Sequence, residues 1–225
     1  MPDVEFPANG STATGYLTAP QSRSAIPVVV LQEWWGLEDH IKGVVDRLAG
    51  EGFLALAPDL FHGETTDQPA EAEQKMMALS MDEAEKEMRG AVDYLAGHEQ
   101  AASQRVGALG FCLGGGLAVW AASVNPKVGA VVTYYYVMPH GKPDFSNIQA
   151  PVLGHFGTGD DFVSVEDAKQ LERELRDAGV ETEFEFHEDA GHAFFNDTDR
   201  LGTYHPEHAE RSWARTTAFL REHLA

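Results

Sequence analysis

Short apolar runs alternate with segments of helical periodicity along most of the chain. The run Ile26-Pro27-Val28-Val29-Val30-Leu31 is rich in β-branched residues, as expected for a strand that is buried on both faces. Further strand-like segments follow at 53–57, 106–109, 128–135, 152–156 and, with alternating polarity, 182–186. Strands that alternate with helices indicate an α/β fold, in which helices flank a mostly parallel central sheet.

Apolar positions with a period near 3.6 predict the helices between these strands. Within 41–48 the apolar residues recur at i, i+3, i+4 and i+7, which forms one buried face. Residues 69–98 have a helical pattern with a break, and Ser80 with Glu83 predicts a capping box that restarts the helix near 81. Further helices are predicted from about 113 to 123, after a Ser164 cap, and at the C-terminus around Trp213, Leu220 and Leu224.

The length and composition are those of an ordinary domain. A chain of 225 residues with 43% hydrophobic residues and no repeat or linker is expected to form a single domain over 1–225. Its apolar runs are far shorter than the roughly 18–20 residues of a membrane span, and the N-terminus lacks a signal-peptide pattern. The chain has one cysteine, which cannot form an internal disulfide. We therefore expect a cytoplasmic protein.

The charge distribution limits the possible partners. The formal net charge of −20 argues against nucleic acid or an anionic membrane surface, since both would be repelled. It fits either a surface adapted to a salty cytoplasm or simple acidic solubility. The oligomeric state is left open, with a monomer favoured over an assembly.

The single cysteine lies in a turn that is typical of a catalytic nucleophile. Gly110-Phe111-Cys112-Leu113-Gly114 stands between a predicted strand and an apolar helix, which is the context of a G-x-S-x-G nucleophile elbow with cysteine in place of serine. The helix N-terminus favours a thiolate, and the Leu113 N–H is a natural oxyanion donor. The alternative is a small buried cysteine at a glycine-rich packing turn.

A base and an orienting acid follow in the order that this arrangement requires. His192 comes directly after the 182–186 strand and a short polar loop, and imidazole can shuttle protons near neutral pH. The 152–156 strand is followed by Gly157-Thr158-Gly159-Asp160-Asp161, which supplies two carboxylates. The G-x-x-D spacing favours Asp160 over Asp161. At least one of the two is expected to be a solvated turn residue.

The loop after the first buried strand has an unusual composition. Glu33 is flanked by aromatic residues in Gln32-Glu33-Trp34-Trp35-Gly36, at the same edge of the sheet as the cysteine. The Trp34 N–H is the best candidate for the second oxyanion donor. A buried carboxylate is costly unless it is paired, so the alternative is that Glu33 points to water. Trp34 and Trp35 could equally be core residues.

Taken together these motifs resemble the dienelactone hydrolase (carboxymethylenebutenolidase) family. They are Gln32 to Gly36, Pro58 to Gly63, Gly110 to Gly115, Gly157 to Asp160 and Ala190 to Phe194. The resemblance implies an α/β-hydrolase fold without a large lid domain. It also implies a triad of Cys112, His192 and Asp160, and a Glu33 that contacts the resting thiol and takes up its proton. Tyr135 matches an active-site tyrosine of the family.

The chain departs from the family where a substrate carboxylate is held. Family members use two arginines for this, and one of the matching positions is Asn196, which cannot form a bidentate, charge-assisted contact. The segment that would carry the other arginine contains only Lys75 and Lys86, while Arg200 is a possible substitute. Met77 and its neighbouring methionines would make this wall apolar if they face the pocket. Asn196, Tyr135, Trp35 and Met77 are accordingly the predicted substrate-binding residues.

The resulting hypothesis is hydrolysis of a small ester or lactone through an acyl-cysteine intermediate. No metal or organic cofactor is expected, because the histidines and acids lack ligand spacing. Two other hypotheses remain at this point: a non-catalytic ligand-binding or redox-sensing protein of the same fold, and an acidic structural subunit.

Overall fold

The computed structural model describes residues 3–225 and contains one eight-stranded sheet. The strands are β1 (Asp3–Ala8), β2 (Ser11–Thr18), β3 (Ile26–Leu31), β4 (Phe53–Pro58), β5 (Val106–Phe111), β6 (Val128–Tyr134), β7 (Val152–Gly157) and β8 (Thr182–His187). Their order in the sheet is β1-β2-β4-β3-β5-β6-β7-β8. The pairs β1–β2 and β2–β4 are antiparallel, and every other pair is parallel.

Within residues 3–225, six α-helices flank this sheet, and the core is divided into two layers. They are α1 (Asp39–Gly50), α2 (Pro69–Ala78), α3 (Met81–Ala96), α4 (Leu113–Val124), α5 (Val165–Asp177) and α6 (Pro206–Leu224). The buried faces of α3, α4 and α5 pack on one side of the sheet. Those of α1 and α6 pack on the other side. Within residues 3–225 no lid domain is inserted, and no helix is both long and apolar enough to cross a membrane.

The central strands are apolar because both of their faces are covered. Every residue of β4, β5 and β6 is buried, as continuous apolar runs predict for parallel strands between two helix layers. The α/β-hydrolase architecture with a mostly parallel sheet is therefore confirmed. The predicted strands correspond to β3 through β8, and the predicted break in the 69–98 helix separates α2 from α3.

Two local features differ from the sequence prediction. The N-terminal hairpin of β1 and β2 was not predicted, because its residues carry a weak and mixed apolar pattern. The prediction of a capping box at Ser80 is wrong. The Ser80 side chain makes no cap hydrogen bond, and only the Ser80 backbone carbonyl accepts from the Ala84 amide. The Ser164 cap is present, as a capping box that Ser164 forms with Asp167.

Candidate active site

The turn between β5 and α4 holds Cys112 in a strained backbone conformation. Its φ of 54° and ψ of −118° lie outside the regions that non-glycine residues usually occupy. A Cβ added to Gly110 would lie 1.9 Å from the Gly114 carbonyl oxygen, and one added to Gly114 would lie 2.1 Å from the Leu31 carbonyl oxygen. The G-x-C-x-G pattern therefore follows from packing, because only glycine allows the turn to approach α4 and the end of β3 so closely.

Cys112 lies at the N-terminus of α4, and the two backbone amides predicted as oxyanion donors lie on segments next to this turn. Cys112 is 6% exposed and is the residue immediately before the helix. Within residues 3–225 the backbone N–H groups of Leu113 and Trp34 donate no hydrogen bond. The carbonyls of Leu31 and Gln32 pack against Gly114, so the loop that contains Trp34 begins next to the turn. Both predicted oxyanion donors are thus on segments that flank the thiol and are not used by the protein itself.

His192 and Asp160 form a buried hydrogen-bonded pair. The His192 Nδ1 atom lies 2.9 Å from Asp160 Oδ2. The other carboxylate oxygen of Asp160 accepts from the backbone amides of Phe162, at 2.7 Å, and Val163, at 2.9 Å. The Asp160 side chain is only 1% exposed, whereas Asp161 is exposed to solvent. Asp160 is therefore the carboxylate that is hydrogen-bonded to the imidazole, and Asp161 is a solvent-exposed turn residue.

The electrostatics of the site favour a protonated imidazole. Burial lowers the pKa of His192, but the charge of a Cys112 thiolate and the hydrogen bonds to Asp160 and Cys112 outweigh it and raise the pKa above its usual value. The hydrogen bond to Asp160 uses Nδ1, which leaves Nε2 for the thiol. The arrangement can therefore hold a thiolate–imidazolium pair once Cys112 has lost its proton.

Glu33 is buried and held on both carboxylate oxygens. It is 1% exposed, and its Oε1 accepts from the Tyr135 hydroxyl at 3.2 Å while its Oε2 accepts from Asn196 Nδ2 at 2.6 Å. Glu33 thus does not point to water. Burial, followed by the negative charge of Glu33 and Cys112, raises the pKa of Tyr135 well above its ordinary value, so its hydroxyl remains a donor. The Tyr135 ring centroid lies 4.9 Å from that of His192.

The side-chain amide of Asn196 is buried and forms its hydrogen bonds within the protein. It is 4% exposed, and its Oδ1 accepts from the backbone amide of Thr198 at 3.0 Å and from the Thr198 hydroxyl at 2.7 Å. Its Nδ2 donates to Glu33. At the position where the resemblance implies a carboxylate-binding arginine, the chain has an amide that positions Glu33.

Three other side chains that were considered for substrate binding are Trp35, Arg200 and Met77, and each has a different environment. Trp35 is 2% exposed and packs edge-on against Trp34, with ring centroids 5.0 Å apart. The Arg200 guanidinium lies over the Trp35 ring at 5.2 Å and pairs with Glu38 at 2.5 Å, so it is not free to bind a substrate. Met77 is 56% exposed on α2, and the structure does not bring it to the Cys112–His192 cluster.

Phe162 was missed by the sequence reasoning although it contacts the site directly. Its ring centroid lies 4.8 Å from that of His192 and 6.1 Å from that of Trp34. At 59% exposed it is the most exposed large hydrophobic side chain among residues 3–225. An aromatic residue in a polar loop, two positions after the orienting acid, was the signal available in the sequence.

A group of potential metal ligands lies on β7 and β8, outside the cluster around Cys112. One ligand atom from each of His155, Glu185 and His187 falls within 4.8 Å of the others. The sequence spacing did not indicate this group, because its members lie on two strands. The imidazole nitrogens of His155 are both engaged, Nδ1 with His187 Nε2 at 3.2 Å and Nε2 with the Thr216 hydroxyl at 3.3 Å. We therefore describe His155 and His187 as a buried hydrogen-bonded pair, with Glu185 beside it, and assign no metal to the group.

Comparisons with known proteins agree with the motifs. Residues 13–224 match the model of the Dienelactone hydrolase family. The chain is 33% identical over 228 residues to "Protein usf" of Aquifex pyrophilus, and 31% identical over 228 residues to "Putative carboxymethylenebutenolidase" of Aquifex aeolicus; each alignment covers 98% of both chains. The structure of "Putative Dienelactone Hydrolase" from Klebsiella pneumoniae subsp. pneumoniae superimposes with a TM-score of 0.86 at 26% identity, and the match covers 98% of each chain.

Proposed function

Since the chain belongs to the dienelactone hydrolase family and is therefore a hydrolase of the esterase and lactonase type, we propose that it cleaves small esters or lactones through an acyl-cysteine intermediate. Cys112 is the nucleophile, His192 the proton shuttle and Asp160 the orienting acid. The observation that carries the proposal is the hydrogen bond of 2.9 Å between His192 and Asp160, in a site where the other imidazole nitrogen is left for the thiol.

In the first half of the reaction the Cys112 thiolate attacks the carbonyl carbon. The negative charge that develops on the carbonyl oxygen is stabilised by the backbone N–H groups of Leu113 and Trp34. The carbon–oxygen bond to the alcohol then breaks, and His192 donates its proton to the departing oxygen. The products of this step are a thioester on Cys112 and a free alcohol, which in a lactone stays attached to the acyl group.

In the second half water hydrolyses the thioester. His192, now neutral, takes a proton from the water while the oxygen attacks the acyl carbon. The carbon–sulfur bond breaks, the acid is released, and the thiolate and the imidazolium are restored. Asp160 keeps the imidazole in the required tautomer throughout.

Glu33 has a separate role in this proposal. Its Oε1 atom accepts from the Tyr135 hydroxyl at 3.2 Å, and the negative charges of Glu33 and Cys112 both raise the pKa of Tyr135. We assign to Glu33 the uptake of the thiol proton that forms the thiolate when a substrate enters, and the return of this proton to the thiolate when the acid leaves. Tyr135 and Asn196 are positioning residues that hold the Glu33 carboxylate in place. A nucleophilic thiol needs a reducing environment, and we place the protein in the cytoplasm for that reason.

The test is turnover of 4-nitrophenyl acetate and of a simple lactone by Cys112→Ala. We expect kcat/KM to fall at least 1000-fold, because the residual activity of such sites comes from the oxyanion donors and binding alone. His62→Gln, which changes an exposed histidine, should retain wild-type activity and serves as the control. Because Cys112 is the only cysteine, mass spectrometry of a rapidly quenched reaction should show one acyl group on it. Wild-type turnover by Cys112→Ala would overturn the proposal.

A further inference from the structure

We infer that the non-reacting part of the substrate is uncharged and apolar, and that it lies in a cavity between residues 136–139 and α5. We call this space the α5 cavity. The inference rests on the proposed function, because it assigns a substrate class to the same site.

The α5 cavity has a volume of about 380 Å³, at the lower end of the range for small-molecule sites. Its inner surface is formed by buried apolar side chains of β7, of the loop after it and of α5. These are Phe156, Val163, Ala168 and Leu171. Residues 136–139 and the exposed side chain of Phe162 complete the lining.

Two contacts connect the α5 cavity to the reacting groups. The Val137 amide donates to the backbone carbonyl of Cys112 at 3.1 Å, so the wall at 136–139 is anchored to the backbone of the nucleophile residue. On the other side, the Phe162 ring packs against the His192 ring. Residues of the cavity wall thus contact the backbone of Cys112 and the ring of His192, and we infer that a group attached to the scissile carbonyl extends between them into the cavity.

The charges around the cavity disfavour a substrate carboxylate. Lys142 is the only cation among the described residues that line it, and its ammonium is already paired with Glu174. Asp167, a second carboxylate of the lining, accepts hydrogen bonds within the Ser164 capping box. An anionic group would meet two carboxylates and no free cation, so it would lose its hydration without a replacement.

The two side chains that the sequence offers for binding a carboxylate are also engaged within the protein. Arg200 pairs with Glu38 and stacks on Trp35, and Asn196 holds Glu33. Both the cavity and the site around the thiol therefore select against an anion. Burial of methylene groups in the α5 cavity is the remaining source of binding energy.

The first experiment is a chain-length series of 4-nitrophenyl esters, from acetate to octanoate. For the wild type we expect kcat/KM to rise about fourfold for each added methylene until the cavity is full, and then to level off. Ala168→Leu, which fills the cavity, should shift the plateau to shorter esters. Leu171→Ala, which enlarges it, should shift the plateau to longer ones.

Lys169→Leu is the matched control for both variants, because Lys169 is the exposed neighbour of Ala168 on α5. It should reproduce the wild-type profile. The variant that fills the cavity and the variant that enlarges it predict opposite shifts of the plateau. If one of them fails to fold, the other still tests the inference. A profile that is the same in both variants and in the wild type would overturn the inference.

The second experiment compares 4-nitrophenyl pentanoate with the mono-4-nitrophenyl ester of glutaric acid, which has the same chain length and ends in a carboxylate. We expect kcat/KM to be at least tenfold lower for the acid. Equal or faster turnover of the acid would show that the site accepts an anion and would overturn the inference. If Cys112→Ala abolishes turnover while these comparisons show no preference, only the substrate assignment fails and the proposed mechanism stands.

Discussion

At the scale of single residues, small differences in position separate functional groups from their neighbours. Asp160 and Asp161 are identical in chemistry and adjacent in sequence, yet only Asp160 is buried against His192. Its second oxygen is fixed by two backbone amides, so the carboxylate cannot turn away from the imidazole. The same kind of selection applies to Met76 and Met77, of which Met76 is buried and Met77 is exposed.

This difference predicts opposite outcomes for two neighbouring substitutions. In Asp160→Asn the amide cannot hold the imidazole in the required tautomer, and we expect kcat to fall by about 100-fold to 10,000-fold. In Asp161→Asn we expect kcat within twofold of the wild type, because that side chain is exposed. Steady-state kinetics with 4-nitrophenyl acetate measures both. A similar loss in the two variants would contradict the assignment of Asp160.

At the scale of elements, the loops after β7 and β8 bring Asp160 and His192 together. Directly below these loops, His155 on β7 and His187 on β8 share a hydrogen bond of 3.2 Å. His187 is 1% exposed, and burial, followed by the positive charge of His208 and Arg211, lowers its pKa to about 4. Burial also lowers the pKa of His155 well below its ordinary value. The two imidazoles are therefore neutral in the folded protein.

These neutral histidines predict a loss of stability in mild acid. Below about pH 6.5 the unfolded chain binds a proton at His187 that the folded protein does not accept until about pH 4, so the free energy of unfolding decreases as the pH falls through this window. Between pH 7 and pH 4, we expect the free energy of unfolding of His187→Gln to decrease by about 1 to 3 kcal/mol less than that of the wild type.

Urea unfolding at a series of pH values measures this difference. His98→Gln is the control, since His98 lies after α3, away from the β7–β8 pair, and it should follow the wild-type curve. Parallel curves for His187→Gln and the wild type would show that His187 does not contribute to the acid sensitivity.

At the scale of the whole molecule, the dominant feature is the excess of negative charge. The chain has 36 acidic and 16 basic residues other than histidine. Many ion pairs lie on the surface, but they cannot neutralise this excess, and the folded state brings the remaining carboxylates closer together than the unfolded chain does. The net charge also gives no long-range attraction for an anionic substrate, in agreement with an apolar α5 cavity.

The charge excess predicts that salt stabilises the protein. Between 0.05 and 1 M NaCl, screening should raise the unfolding temperature by about 2 to 6 °C, which corresponds to roughly 1 to 2 kcal/mol for a domain of this size. A variant with Glu73→Gln, Glu99→Gln and Glu210→Gln should respond less, because these exposed residues have no ion pair within residues 3–225. Calorimetry at both NaCl concentrations measures the change in unfolding temperature. An equal or larger response in the variant would show that self-repulsion is not the cause.

The sequence by itself determined most of the sheet and the order of the catalytic candidates. Continuous apolar runs predicted β3 to β7, because parallel strands that are covered on both faces are apolar throughout, and alternating polarity predicted β8. The glycines around Cys112 indicated the turn because the backbone there permits no side chain. The hairpin of β1 and β2 could not be predicted in this way, since its pattern is mixed and its pairing depends on β4.

Only the tertiary structure decided which side chains face one another. It shows that Asp160, and not Asp161, contacts His192, and that Phe162 packs against the same imidazole. It also shows that Asn196 bonds to Glu33 and that Arg200 pairs with Glu38. Met77, in contrast, is exposed to solvent. The tertiary structure also assembled the α5 cavity from segments that are distant in sequence. The physical reason is that periodicity and spacing report whether a position is buried or lies in a turn. The partner of a buried polar group depends on how the loops pack at the edge of the sheet. A local sequence pattern contains no information on this packing.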